Sequence, residues 1–507
     1  MSTAVLRSSG AASSEDRYSH KYIIAATVTM AAMLELIDTS LVNVAIPHML
    51  GHLGATLDEI AWVSTAYIIA NVIVIPMSGW LSAYFGRKRY FTGSIALFTV
   101  ASFFCGSSSS LLGLIFWRVI QGIGGGALLS TAQATLYESF PPEEAGTGMA
   151  IFGVGVMVGP TLGPTLGGWI TDNYSWPWIF YINVPLGIIA AILTVTYVND
   201  AEHQERADTI DYLGIILLTL CVGSLQWMLE RGERYDWWDS RFVTLLGVTA
   251  LLSGITLIWH ELTTDEPVIN FRILKSRQLS AGVTFGLLLG FALYGSVFIL
   301  PGAIASAVTM AVVGRNAMRL DARYTVVVGA FLFFWSMLKM SHLTSASGQY
   351  DLFWPLILRG VALGLIFVPL TNATMADLKV KDLAQGTGMF NLMRQLGGSL
   401  GIAVMATMLA HFISVEKTML VEHVGANDPE TLSRLSLLTR GLISRGMNPI
   451  TAQQQALAIL DRQVSVQSSM LAFSKIYLYS GLVLIGALPL LLLFRTGRAR
   501  GSMGPVH

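Results

Sequence analysis

The chain has 507 residues, 53% of them hydrophobic and 12% charged, with a formal net charge of zero and a mean hydropathy of +0.61. That composition describes a chain solvated by lipid rather than a string of soluble domains, and the balanced charge gives no basic surface for nucleic acid. Nine scattered His with Cys105 and Cys221 alone supply neither a metal-ligand spacing nor a disulfide framework, so no metal and no cofactor is expected.

Residues 1–21, rich in Ser and Ala with Arg7, Arg17 and Lys21, lack a short apolar core followed by a small-residue cleavage site and are expected to form a cytoplasmic tail. At about 20 residues per bilayer crossing, six apolar runs follow over 22–47, 59–81, 90–105, 111–137, 147–169 and 178–198, an N-terminal bundle at 22–198. A polar stretch at 199–211 precedes runs at 212–229 and 242–260, so 199–278 reads as two inserted helices with linkers. Runs at 279–300, 301–313, 324–340, 352–371 and 385–409 give a C-terminal bundle over 279–410. The segment 411–469 is expected to be an extracytoplasmic cap, 470–495 the fourteenth helix and 496–507 a second cytoplasmic tail. The fold class is therefore an all-α membrane protein of two six-helix repeats plus two inserted helices, about 14 transmembrane helices in all.

Positive charge tests the same map. Arg87, Lys88 and Arg89, then Arg206, then Arg272, Lys275 and Arg277, then Arg315, Arg319 and Arg323, and finally Arg495, Arg498 and Arg500 fall in segments expected inside, whereas the short outer loops carry Arg231 and Arg234. This asymmetry orients both termini toward the cytoplasm. Arg277 and Arg315 both belong inside, which demands two crossings between them, yet the second run of 301–313 rises only about 20 Å at 1.5 Å per residue. Helices 9 and 10 are thus expected to be truncated, a hairpin broken at Pro301-Gly302.

Chemistry enters with the first span. Glu35 and Asp38 are three residues apart, on nearby faces of one helix close to mid-bilayer, where a carboxylate is costly unless protonated, paired or hydrated. Arg118 of the fourth span lies at a matching depth of about 10 to 14 Å from the outer end, so it can meet Asp38. Desolvation and a neighbouring guanidinium act on a carboxyl in opposite senses, and their competition can bring it into the range where it exchanges protons. A static, purely structural pair is the competing reading. In the fifth span Gly155, Gly159, Pro160, Gly163, Pro164 and Gly167 combine two removed backbone donors with a small-residue face, and are expected to form a hinge that rocks against the opposite half. The loop from Gly79 through Gly86 to Arg87 and Lys88 closes spans two and three. Its cations reappear as Arg315, Arg319 and Arg323 in the second half, and Arg359 echoes Arg118. Two such repeats around a shared pathway are the architecture of alternating access.

The order of these motifs, the six-two-six pattern and the phrase Gly386-Thr-Gly-Met-Phe-Asn391-Leu-Met-Arg394-Gln395 resemble the fourteen-helix drug:proton antiporters of the major facilitator superfamily, of the multidrug resistance protein B type. The resemblance covers nearly the whole chain. It implies the major facilitator fold, with Asp38 as protonation site, Glu35 beside it, Arg118 as electrostatic partner, residues 155–168 as hinge and Gly79, Gly86, Arg87 and Lys88 as a gating loop. Gln226 and Glu230 match a recurring Gln and acid of this branch. The sequence departs from the pattern at Ala83 and Met318, where many relatives carry Asp, and at Leu300-Pro301, where relatives have a longer stretch.

The expected function is a proton-coupled multidrug efflux transporter of a bacterial inner membrane, not an enzyme, exporting small amphipathic or aromatic compounds by alternating access. Tyr67, Gln121, Gln226, Trp227, Asn391 and Gln395, polar or aromatic in otherwise apolar spans, are the pocket candidates together with Glu230 and Arg394; helix packing is the competing role for each. The alternatives are a narrow exporter of one metabolite, siderophore or lipid, and a non-transporting degenerate copy marked by the gap at Leu300-Pro301. Relatives in Gram-negative bacteria work with a periplasmic adaptor protein, and the 411–469 segment is the surface where such a partner is expected to dock; a cap that only shields the outer vestibule is the competing reading.

Overall fold

The computed structural model describes residues 20–141, 143–200, 209–294, 300–317, 319–344, 346–424 and 428–494. Most of both terminal tails, Arg206, Met318 and the three C-terminal arginines lie outside them, as do the side chains of Tyr294 and Leu300.

Helices occupy every expected span. The first half comprises α1 (Lys21–Leu53), α2 (Leu57–Phe85), α3 (Arg87–Gly106), α4 (Leu111–Ser139), α5 (Ala145–Asn173) and α6 (Trp178–Tyr197). Next come α7 (Tyr212–Arg231) and α8 (Arg241–Thr263), then α9 (Arg277–Tyr294), α10 (Leu300–Arg315), α11 (Ala322–Ser341), α12 (Gln349–Met375) and α13 (Leu383–His423). A short helix, α14 (Pro429–Ile443), precedes α15 (Pro449–Gly486). Eleven of the described helices are long and apolar enough to cross a membrane. Local chemistry sets several ends. Gly54 terminates α1 with a left-handed φ of 61°. Thr56 and Glu59 form a capping box at the start of α2, and Ser110 and Asp211 cap α4 and α7 through their side chains.

Two differences from expectation stand out. Pro301 and Gly302 do not break a hairpin arm: they lie in the first turn of α10, where proline is tolerated because its missing N–H has no intrahelical partner. A Cβ on Gly302 would sit 2.7 Å from the Leu356 carbonyl oxygen, so the glycine allows α10 to pack closely on α12. With 18 and 16 residues, α9 and α10 rise about 27 and 24 Å, shorter than a typical hydrocarbon core. The second difference is at the far end. The expected span limits at Leu409 and Met470 fall inside continuous helices, so the 411–469 segment is built from extensions of α13 and α15 with α14 packed on α15.

Helices α1–α6 form one lobe and α9–α13 with α15 another. Among lipid-solvated helices there is little hydrophobic drive to associate, so close packing and interhelical hydrogen bonds hold the lobes. Large apolar side chains such as Leu251, Leu252, Ile255 and Trp259 of α8 point outward. The lobes touch mainly in the half nearer Arg87 and Arg315, the end expected from the positive charges to be the inner one. There Tyr137 donates to Asn372 Oδ1 at 3.1 Å, Thr387 to the Ser130 carbonyl at 3.2 Å and Asn391 to Gln133 Oε1 at 2.7 Å. Gly146 of α5 lies directly against Gly314 and Ala317. Helix α7 joins both lobes from the side: Gln226 donates to Ser399 of α13 at 2.7 Å, and Arg231 donates to the Asp58 carbonyl of α2 at 3.2 Å.

Candidate functional site

Asp38 and Arg118 meet. Arg118 Nη1 donates to Asp38 Oδ2 at 2.5 Å, and neither side chain is more than 1% exposed. A buried pair repays its desolvation only when further hydrogen bonds satisfy its lone pairs and protons, and four more are supplied here. Asp38 Oδ1 accepts from Gln121 at 2.9 Å and from Asn183 at 2.8 Å. Arg118 also donates to Gln121 Oε1 at 2.7 Å and, through Nε, to the Val63 carbonyl at 3.0 Å. Its guanidinium lies 4.1 Å from the centroid of the Tyr67 ring. Asn183 in turn donates to Ser102, whose hydroxyl donates to the Phe180 carbonyl. Five helices, α1, α2, α3, α4 and α6, therefore converge on one carboxyl within the first lobe.

Glu35 faces differently. One turn toward the inner end, it is 7% exposed; its Oε1 accepts from Asn71 at 2.9 Å, while its Oε2 has no partner. The Arg394 guanidinium of the opposite lobe is close enough for the two charges to act on each other. Asp38 is thus sequestered in a lobe core, whereas Glu35 looks toward the lobe interface.

The glycines of α5 correct one expectation. Cβ atoms at Gly155, Gly159, Gly163 and Gly167 would meet Thr29, Leu36, Ser40 and Leu41, all on α1, so the stripe packs against the acid-bearing helix of its own lobe rather than against the opposite half. Contact with the other lobe comes from Gly146 and from Gly153, whose Cβ would lie 2.8 Å from Met310 Sδ. Pro164 has no N–H to give the Pro160 carbonyl, and Ser40 supplies the missing donor at 3.1 Å. Two residues past Asp38, α1 is thereby fastened to the proline step of α5.

At the inner loop Gly86 adopts a φ of 86°, which lets the chain turn from α2 into α3. Arg87 is buried and pairs with Glu138 at the end of α4, and the Lys88 amide donates to Asp200 Oδ1 at 3.0 Å. With Ala83 in place of an acid, Arg87 takes its carboxylate partner from α4, and Asp200 holds the loop through the Lys88 backbone amide. Gly79 lets α13 approach: its Cβ would lie 2.8 Å from Gln385 Cγ and 2.9 Å from Gln385 N.

The pocket candidates divide by place. Gln121 and Tyr67 belong to the Asp38–Arg118 cluster. Gln226 bridges Glu230 and Ser399 of α13, while Trp227 lies edge-on to Trp62 of α2 at 5.0 Å between ring centroids. Asn391 and Arg394 lie at the lobe interface, and Gln395 is half-buried beside them. A cavity of about 370 Å³ lies elsewhere, between α9, α13 and α15, lined by Phe291, Met405, Ile476 and Tyr479 among others; none of the candidates lines it. Sequence reasoning missed Asn183, Ser102 and Gln133. An isolated Asn two residues before Pro185 in an apolar run was the available signal for the first.

A family model described as the Major Facilitator Superfamily matches residues 28–402. Among curated proteins the chain is 33% identical over 491 residues to multidrug export protein EmrB of Escherichia coli strain K12, covering 92% of this chain and 94% of that one. It is 30% identical over 503 residues to fatty acid resistance protein FarB of Neisseria gonorrhoeae, with coverages of 94% and 96%. Among solved structures the human organic anion transporter MFSD10 aligns with a TM-score of 0.54 at 14% identity, over 92% of this chain and 99% of that one. The proton:xylose symporter XylE aligns with a TM-score of 0.55 at 11% identity, over 92% and 95%. Likeness at these identities speaks to the fold.

Proposed function

The chain belongs to the Major Facilitator Superfamily, and from that premise we propose that it is a proton-coupled multidrug efflux transporter that exports small amphipathic or aromatic compounds by alternating access. The name and 33% identity of the multidrug export relative support the export of drugs. The observation that carries the coupling is the Asp38–Arg118 pair, sealed inside one lobe by Gln121 and Asn183.

A proton arriving on Asp38 Oδ2 removes the charge that holds Arg118 Nη1, leaving the guanidinium to Gln121, Val63 and the Tyr67 face. Ser40, half a turn beyond Asp38, couples α1 to the Pro160 carbonyl, so a shift of α1 reaches α5. The other side of α5 meets Gly314, Ala317 and Met310 of the second lobe. Proton state on α1 is thereby passed to the lobe interface through packed, bonded contacts. Glu35 serves as a second exchangeable acid at that interface. The loop of Gly79, Gly86, Arg87 and Lys88 gates the inner end, where Gly79 admits α13. Gln226, Trp227 and Glu230 line the outer approach along α7.

The chain lies in a bacterial inner membrane with both termini cytoplasmic, an orientation supported by the basic inner loops. The helical projection of α13, α14 and α15 beyond the bilayer is the docking surface for a periplasmic adaptor; replacing residues 424–448 with a short linker abolishes adaptor crosslinking on this reading, and retained crosslinking removes it. Growth tolerance tests export itself. Cells bearing the chain survive unrelated amphipathic toxins and retain less ethidium than cells without it. A second reading, a narrow exporter of one lipid-like metabolite, draws on the likeness to a fatty acid resistance protein and predicts protection against one compound class alone. Tolerance equal with and without the chain removes both and leaves a non-transporting copy.

A further inference from the structure

The connection between α7 and α8 reaches across the outer end of the molecule and is fastened to both lobes. Its near end sits on α2 of the first lobe. Arg231 donates to the Asp58 carbonyl at 3.2 Å and lies 5.3 Å from the centroid of the Trp62 ring, while Arg234 pairs with the Asp58 carboxylate. The far end sits on α13 of the second lobe, where the Trp237 indole N–H donates to Thr407 Oγ1 at 3.0 Å. The Thr407 hydroxyl gives its own proton to the Ala403 carbonyl at 2.9 Å, so a lone pair is left for the indole. Only residues 232–236 separate Arg231 from Trp237, and so short a tie fixes the spacing of α2 and α13 at that end.

The tie is made with a backbone that L residues seldom adopt. Asp236 and Trp237 have φ of 54° and 51°, in the left-handed region, which Asp tolerates but which is exceptional for a bulky aromatic. Such strain persists only where the surroundings over-determine it. Here the Trp237 amide donates to the Gly232 carbonyl at 2.8 Å, a Cβ on Gly232 would lie 2.5 Å from the Trp237 ring, and Thr407 holds the indole. Behind the connection α7 touches the same two helices: Trp227 meets Trp62 of α2, and Gln226 donates to Ser399 of α13. Nearer the inner end α2 and α13 meet directly, Gly79 against Gln385 and Gly388 against Ile75. Inner contact and outer spacing are therefore set by one pair of helices. We propose that residues 231–237 form an outer strap that holds α2 and α13 at the spacing of the inner-closed form, and that Trp237 must leave Thr407 before the inner end opens. The strap rests on the alternating-access reading and adds the device that sets the balance between its two forms. Once the indole leaves, residues 236–237 relax to ordinary backbone, so the strap has a fastened and a loose state.

The test uses the full chain in nanodiscs, with Cys105→Ser and Cys221→Ser as background and spin labels at exposed positions: Arg89→Cys with Arg319→Cys at the inner end, and Tyr174→Cys with Tyr350→Cys at the outer. Pulsed electron resonance reads the distances. Trp237→Phe keeps the ring and loses the N–H, and Thr407→Val loses the acceptor; each raises the ratio of inner-open to inner-closed molecules about fivefold, the worth of one neutral hydrogen bond. Arg231→Met frees the other anchor and gives at least the same rise, with Trp62→Leu in its place should that variant not fold. A strap cut at either end is cut, so Arg231→Met combined with Trp237→Phe gives no more than the larger single effect. Distances unchanged in Trp237→Phe and Thr407→Val overturn the strap. So do effects of the two ends that multiply, which mark separate local contacts. The outer pair separates this inference from the reading it rests on. Inner lengthening without outer shortening sinks alternating access and keeps the strap, whereas reciprocal changes driven by ethidium, alike in wild type and strap variants, keep alternating access and sink the strap.

Discussion

Replacing Gly163 by Ala puts a methyl group on top of the Ser40 side chain, well inside van der Waals contact with both its Cβ and Oγ. Neither helix can yield freely, because α1 and α5 also touch at Gly155, Gly159 and Gly167. Overpacking of this kind costs about 1 to 3 kcal/mol. Displacing Ser40 also breaks its bond to the Pro160 carbonyl, about 1 kcal/mol more, for a total of about 2 to 4. Ser40→Gly removes both clashing atoms at the expense of that bond and of a helical glycine, together about 2 kcal/mol. Once Ser40 is Gly, the nearest atom left to an Ala Cβ at 163 is the carbonyl carbon of residue 40 at 3.3 Å, a contact relieved by a shift of a few tenths of an ångström. The double variant is then about as stable as Ser40→Gly alone, giving a coupling energy of about 2 to 4 kcal/mol, the full cost of Gly163→Ala in the wild-type background. Unfolding of the four proteins in mixed micelles, followed by tryptophan fluorescence, measures it. Additive losses, or Gly163→Ala indistinguishable from wild type, refute the claim that the glycine stripe is the seat of α1 on α5.

Arg118→Leu leaves the Asp38 carboxylate buried without its cation, and removing one partner of such a pair costs about 3 to 5 kcal/mol; folded yield in membranes falls sharply, and adding Asp38→Asn recovers much of it, measured by size-exclusion profile. Gly79→Val pushes α2 away from Gln385 on α13, so closure of the inner end is impeded and efflux rate drops several-fold while folded yield holds, read from dye efflux per molecule of protein. Asp428 accepts from the Thr431 amide and hydroxyl at the start of α14, and these bonds hold its carboxyl below the usual range. A depressed folded-state value means that the cap contributes above the unfolded value of about 3.9 and is lost as pH falls through the folded one. Limited proteolysis near α14 therefore accelerates in acid, and Asp428→Ala removes that pH dependence.

Much of this was legible in the chain. Each apolar run marked by hydropathy falls on a helix, and the arithmetic of helical rise put Asp38 and Arg118 at one depth, which is why their pairing could be expected from two residues eighty positions apart. What spacing cannot say is which neighbour a face meets. The period of Gly155, Gly159, Gly163 and Gly167 announced close approach, but only the packed lobes reveal α1 as the partner. Hydropathy also falls at a bilayer boundary while helical propensity does not, so the ends of α13 and α15 ran past the limits drawn at Leu409 and Met470. Asn183 and Gln133 were overlooked because a lone amide in an apolar helix carries no periodic signal; their meaning comes from the unsatisfied or charged groups opposite them.

The central claim is that a proton on Asp38, in competition with Arg118, moves α1 and hence the lobes. Full-length protein in vesicles with an interior pH dye gives the direct measurement: an imposed gradient of an exported compound drives proton movement in wild type. The account predicts that Asp38→Asn, folded and still binding the compound, abolishes the compound-driven pH change. A variant that moves protons at the wild-type rate would contradict it.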